Sequence, residues 1–204
     1  MSNLAPDLTQ PFGTRRVMIF IDAGYVRKKI NEYFGKGTID LQSFVDMVID
    51  ALTKNFLLEV IRVYYYDGMP EENDPDFESH ELFLKSIRSL SRFEDRLGSL
   101  KRVKKSQRRQ KSVDSLIAID MVSKAYMDHY DIAFLVAGDE DFLPVVDAVK
   151  NTGKRVFGIY FDTWISQDLK NSFDEVLELS KGWFEDRDLF TSAIPSVNQN
   201  NESS

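Results

Sequence analysis

The sequence predicts an α/β fold, a mainly parallel central sheet flanked by helices, and two patterns carry that expectation. The runs Val17-Met18-Ile19-Phe20-Ile21 and Ala133-Phe134-Leu135-Val136-Ala137 are wholly apolar and of strand length. Such runs suit parallel strands buried on both faces. Between apolar runs stand amphipathic stripes at helical spacing, so strand and helix alternate along the chain.

Residues 1–15 read as a flexible lead, and Val17–Ile21 as the first strand. Tyr25–Phe34 can form a helix that Gly35-Lys36-Gly37 stops. Leu41, Phe44, Val45, Val48, Ile49 and Leu52 mark one helical stripe. Val60–Tyr66 is a second strand, broken by Asp67-Gly68-Met69-Pro70. Phe83, Ile87, Leu90, Phe93 and Leu97 place a long helix over 77–97. Its aromatic face, if exposed, would offer a homodimer contact; core is the simpler reading. A strand near Leu100–Val103 then passes into a mobile basic loop. Val113–Tyr126 reads as helix, Ile132–Ala137 as strand, and Phe142, Val145, Val146 and Val149 as a further stripe. Lys154–Phe161 is the last strand expected, and Leu169, Phe173, Val176 and Leu177 suggest a closing helix. One domain over 16–190, with a basic loop at 101–111 and a disordered polar tail over 191–204, follows.

Composition narrows the function classes. No run approaches the roughly 18 apolar residues that cross a bilayer, and the polar start lacks a signal core. The 204 residues include no cysteine, which excludes disulfides, thiolate nucleophiles and Cys-based zinc sites. The expectation is a cytoplasmic protein without membrane partners. The net charge of −7 hides an asymmetry: residues 101–111 hold seven of the 26 basic residues and no acid. The rest, 19 basic against 33 acidic residues, would repel nucleic acid, while the basic strip could capture it locally.

Aspartates stand at the strand ends. Asp22 closes the first strand, Asp139 and Asp141 follow Gly138, and Asp114 opens a helix just after the basic run. In an open parallel sheet, ligands gather beyond the carboxyl ends of the strands, where strand order reverses. Carboxylates gathered there repel one another unless a cation holds them. Each has a structural alternative: Asp22 as a turn or cap, Asp141 as an N-cap, Asp114 as a cap in competition with Ser112. Asp139 has the weakest one. Hard oxygen donors from three chain-distant segments suit Mg²⁺ or Mn²⁺ and phosphodiester chemistry. Asp120, well off the face of Asp114, either supports the site from a second shell of contacts or is a buried structural acid. His80 and His129 lack metal-ligand spacing. Tyr25 or Tyr66 could stack on a base, or pack in the core.

The segments Phe20-Ile21-Asp22-Ala23-Gly24-Tyr25, Lys111-Ser112-Val113-Asp114, Ile119-Asp120-Met121 and Leu135-Val136-Ala137-Gly138-Asp139-Glu140-Asp141-Phe142 extend the argument. With Pro144, Gly153-Lys154-Arg155-Val156, Ser166 and Leu169, the chain resembles the NYN family of PIN-like ribonucleases, the LabA-like proteins, from about Arg16 to Leu179. The resemblance implies a PIN-like, Rossmann-like three-layer sandwich and a metal-dependent endoribonuclease. By position, Asp22, Asp114, Asp139 and Asp141 would surround Mg²⁺ or Mn²⁺, and Lys111 would lie beside the scissile phosphate. Many relatives carry Asn two or three residues after the first Asp; here Gly24-Tyr25 stand instead. Lys104, Lys105, Arg108, Arg109 and Lys111 are the candidate contacts to RNA, single-stranded RNA preferred. Two other readings stay open: a non-catalytic RNA-binding or regulatory module on this fold, and an aspartyl-phosphate enzyme using Asp22. Against the latter, Gly24 stands where haloacid-dehalogenase-like phosphatases need a second acid.

Overall fold

In the computed structural model of the chain, Arg15–Asp22 form β1, whose residues Val17–Ile21 are all buried at the middle of the sheet. The structure describes residues 13–192 apart from 36, 53–56, 71, 74, 76, 104–106, 111–112, 163 and 187–188, with backbone alone for 99–103, 107–110 and 191–192. Helix α1 (Ala23–Phe34) follows β1 directly and stops at Gly35, whose φ of 80° suits a residue without a Cβ. After β2 (Gly37–Ile39), α2 (Leu41–Leu52) buries Leu41, Phe44, Val45, Val48 and Leu52, the stripe the sequence marks. Next come β3 (Leu58–Met69), α3 (Phe77–Ser89), β4 (Phe93–Val103) and β5 (Gln107–Gln110). Helix α4 (Val113–Tyr126) and β6 (Ile132–Val136) lead to a single 3₁₀ turn, Glu140–Phe142, and α5 (Leu143–Lys150). The chain continues through β7 (Arg155–Phe161), α6 (Gln167–Ser172), β8 (Glu175–Leu179), α7 (Lys181–Glu185) and β9 (Phe190–Ser192).

Six strands run parallel in the order β4-β3-β1-β6-β7-β8, and β5 adds antiparallel at the β4 edge. Counted among the parallel strands alone, that is the doubly wound order 3-2-1-4-5-6. Side chains alternate across the sheet. Val17, Ile19 and Ile21 join the core with α1, α2, α3 and α7, while Met18 and Phe20 join the one under α4, α5 and α6. The α/β sandwich of three layers is as the sequence predicts. Among the described residues no helix is long and apolar enough to cross a membrane.

Several elements differ from expectation. The helix expected over 77–97 ends at Ser89; Arg92 takes a left-handed φ of 70°, and Phe93–Leu97 belong to β4. Val63↔Phe93 and Asp67↔Leu97 pair in parallel register, so the 3- and 4-residue spacing of Leu90, Phe93 and Leu97 mimicked a helix that tertiary pairing overrides. On α3 itself Ile87 is buried and Phe83 packs against Tyr65, the core reading rather than an exposed dimer face. Asp67-Gly68 lie within β3, not in a break. The basic segment is no open loop throughout: Lys101↔Arg109 and Arg102↔Arg108 pair across β4 and β5. The closing helix stops at Ser172; Glu175–Leu179 form β8 instead, and Phe173 packs over Gly158. Thr191 and Ser192, placed in the tail by the sequence, extend β9 along β2. The rest of that tail and most of the N-terminal lead lie outside the described residues.

Candidate metal centre

Strand order reverses between β1 and β6, and both strands deliver an aspartate just there. Asp22 ends β1 and N-caps α1, its Oδ1 accepting from the Tyr25 N–H at 3.1 Å. Asp139, three residues beyond β6, caps the 3₁₀ turn by accepting from the Asp141 N–H at 3.0 Å. The cap at this turn is thus Asp139, not Asp141. Asp22 and Asp139 each accept a backbone N–H through Oδ1. Asp114 is the second residue of α4, near the positive end of that helix. Asp141 sits in the 3₁₀ turn, exposed.

Asp22 and Asp114 are both perturbed by neighbouring carboxylates. Burial first, then the charge of Asp114, push the Asp22 carboxyl up from 3.8 to about 6, against the Tyr25 and Gly24 N–H groups that lower it. Burial, followed by Asp139 and Asp141, raises Asp114 above its ordinary value. Among the described residues, no lysine or arginine forms an ion pair with any of the four. Some acids elsewhere are paired, Asp131 by Arg16, Asp95 by Arg88 and Asp67 by Arg27.

The donor set fits a hard dication in kind and in charge: all oxygen, mutually repelling, and not neutralised by a described cation. Among the described residues no three His, Cys, Asp or Glu side chains already stand as a metal-holding group. Asp22 and Asp139 are turned to their capping N–H groups, so ligation would draw on side-chain rotation.

Asp120 is taken up elsewhere. It accepts from the Tyr66 hydroxyl at 2.8 Å and pairs with Lys124 and, at 3.5 Å, with Arg96. Its tie to the rim is indirect, since Tyr66 is the register partner of Asp22. Tyr66 is fully buried and cannot stack on a base. Tyr25 is committed as well: its hydroxyl donates to the Trp164 carbonyl at 2.8 Å and accepts from the Phe161 N–H at 2.9 Å. Lys104, Lys105 and Lys111 lie outside the described residues; Arg108 and Arg109 lie in β5, described in backbone only. One group the sequence reading missed is Asp67, buried to 1 % exposure and bound by Arg27. Its signal was present: Val63-Tyr64-Tyr65-Tyr66-Asp67 repeats the apolar-run-then-Asp pattern of Asp22.

A doubly wound parallel sheet with aspartates at its switch point defines the class of the fold, an α/β sandwich of three layers. The chain belongs to the NYN domain family, a PIN-like nuclease family, whose profile matches residues 16–180. A crystal structure of a protein of unknown function from Vibrio parahaemolyticus superposes with a TM-score of 0.61 at 20% identity, covering 81% of this chain and 93% of that one. At that identity the likeness is one of fold alone. A nicotinic acid mononucleotide adenylyltransferase from Plasmodium falciparum, complexed with NaAD, aligns at a TM-score of 0.30 and 11% identity over 81% of this chain and 75% of that one, too remote to carry an argument. No functionally curated protein matches the chain significantly.

Proposed function

We propose that the protein is a divalent-metal-dependent endoribonuclease acting on single-stranded RNA, with Asp22, Asp114, Asp139 and Asp141 as the residues that hold Mg²⁺ or Mn²⁺. The observation that supports this reading is the position of Asp22 at the end of β1 and of Asp139 just beyond β6, the two strands between which strand order reverses, with Asp114 in the first turn of α4. When bound, the ion would polarise a phosphoryl oxygen and lower the pKa of a bound water. The chain's own residues do the rest. The two caps fix the backbone from which Asp22 and Asp139 project. Asp114 closes the cluster from α4, and the basic segment, with Lys104, Lys105, Arg108, Arg109 and Lys111, draws in a phosphate backbone the remaining surface repels. An extruded single strand reaches a rim of this kind more readily than a stiff duplex.

The test is cleavage of single-stranded RNA, double-stranded RNA and single-stranded DNA in Mn²⁺ or Mg²⁺. Single-stranded RNA should be cut fastest, and EDTA should stop the reaction. Asp139→Asn should lower kcat by on the order of 10²-fold or more, since even outer-shell partners of metal ligands cost about 10–100-fold. Equal cleavage by wild type and variant purified side by side would mean a contaminant and end the proposal. A second reading, binding without turnover, is favoured by one observation: Tyr25 stands near where many relatives carry Asn, and its hydroxyl is spent on Trp164 and Phe161. RNA bound but never cut under these conditions would select it.

A further inference from the structure

We infer that Arg27, held in place by Asp67, binds an RNA backbone phosphate beside the cleaved one, where the strand passes from the basic β4–β5 hairpin to Asp22. The inference rests on the nuclease reading above and names how its substrate is held.

The topology sets the path. Along the carboxyl rim the order is β5, β4, β3, β1, β6, so the tip of β3 separates the basic hairpin from Asp22. Gly68↔Gly98 and Met69↔Ser99 are the last parallel pairs of β3 with β4. From Leu100 to Val103, β4 runs on past that level, paired only with β5. At about 3.3 Å per residue those four residues carry the β4–β5 pair up to roughly 13 Å beyond the tip of β3. A strand captured there reaches the aspartates by crossing that tip.

From α1, Arg27 reaches the end of β3. Asp22 pairs with Tyr66 in register, which puts Asp67 one residue nearer the rim on the neighbouring strand. Arg27 lies five residues into the segment that Asp22 caps, about 7.5 Å along the helix axis. Its guanidinium donates to both Asp67 oxygens, at 3.1 Å from Nη1 and 2.5 Å from Nη2. Asp67 also accepts from the Gly68 N–H at 2.7 Å and lies 3.4 Å from His80 Nε2.

The pairing is lopsided in a way that suits a binding residue. Asp67 is 1 % exposed, but the Arg27 side chain is 41 % exposed. Two of five guanidinium N–H groups meet Asp67, which leaves three donors on a half-exposed side chain. Arg27 makes no ion pair with Asp22 among the described residues, yet stands within its Coulombic reach. A cation in contact would neutralise Asp22 as a ligand; one at this remove meets the adjoining phosphate.

The experiment is steady-state cleavage of a fluorescent single-stranded oligouridylate in Mn²⁺ across a salt series, with thermal melting of each variant. Arg27→Gln should raise KM about tenfold while kcat stays within about twofold. Its kcat/KM should depend less steeply on salt, by about 0.7 in the logarithmic slope, the share of one phosphate contact on a single strand. Arg27→Lys should restore most of that slope. Asp67→Asn should also raise KM. Removing a negative charge near the path would lower KM by field alone, so the rise marks lost positioning. If Arg27→Gln melts earlier but keeps the wild-type KM and salt slope, Arg27 only neutralises Asp67 and the inference is overturned, while the nuclease reading stands. If the wild type cuts no RNA, the proposed function falls and this inference falls with it.

Discussion

Asp22 holds its charge against the fold. Burial and the neighbouring Asp114 raise its carboxyl from 3.8 to about 6, so the folded chain binds that proton more tightly than the unfolded chain does. Between those two values the folded state carries the extra proton, and stability falls as pH rises across the window. Above about 6 the penalty is complete, on the order of 3 kcal/mol for a shift of about two pH units. Asp22→Asn removes the charge and keeps a side chain that caps helices as well as Asp does. In EDTA at pH 7 the variant should melt above wild type, and the gap should close toward pH 4. Melting curves over that range check both statements; a variant that melts lower at pH 7 would show the capping charge outweighing the repulsion. Asp131 has the opposite sign. The Arg16 guanidinium holds it below its ordinary value, so its contribution is present at neutral pH and lost as pH falls through the acid range.

Strands buried on both faces were legible because unbroken apolar runs of strand length, Val17–Ile21 and Ala133–Val136, suit such a strand. Their aspartates were legible for the same reason: a charge cannot continue a run of this kind, so it marks the rim. Edge elements were not legible. Phe93–Leu97 alternates with Glu94 and Arg96 at one edge, and Val176 in β8 stays 43 % exposed at the other. An edge strand need not be apolar throughout, and its sparse apolar residues fall by chance on helical spacing. The Arg27–Asp67 pair was hidden for a different reason, because strand order alone brings α1 over the end of β3. Gly138 shows how tightly the rim elements interlock. A Cβ there would meet the Trp164 carbonyl oxygen at 2.0 Å and the Tyr25 ring at 2.6 Å. Backbone cannot swing aside as a side chain can, so the β7–α6 loop must shift, and Asp139 follows Gly138 directly. Gly138→Ala should cost roughly 1–3 kcal/mol by overpacking and lower nuclease activity further than its lost stability explains. Urea unfolding and cleavage rates on the same preparation separate the two effects.

At the scale of the whole molecule, a chain of net charge −7 places aspartates that no described lysine or arginine pairs at the strand ends of its switch point, and its densest basic run at one edge of the same sheet. A dication would relieve the first, and it binds the folded state in preference to the unfolded chain, where the aspartates come from three segments far apart in sequence. Linkage then turns occupancy into stability: at a hundred times Kd, an ion adds about 2.7 kcal/mol. For a domain of this size that is roughly 5–10 °C in Tm. Mn²⁺ or Mg²⁺ should therefore raise the Tm of wild type by that order, with no RNA present. Asp22→Asn should start higher at pH 7 and respond little, because the charge that destabilises the metal-free fold is the charge that would bind the ion. Asp120→Asn, whose carboxylate belongs to Tyr66, Lys124 and Arg96 rather than to the rim, should start lower and keep most of its metal response. Differential scanning calorimetry with and without the ion reads all three proteins. Equal Mn²⁺ shifts in wild type and Asp22→Asn would place the ion away from the strand ends and remove the acidic crevice from the chemistry.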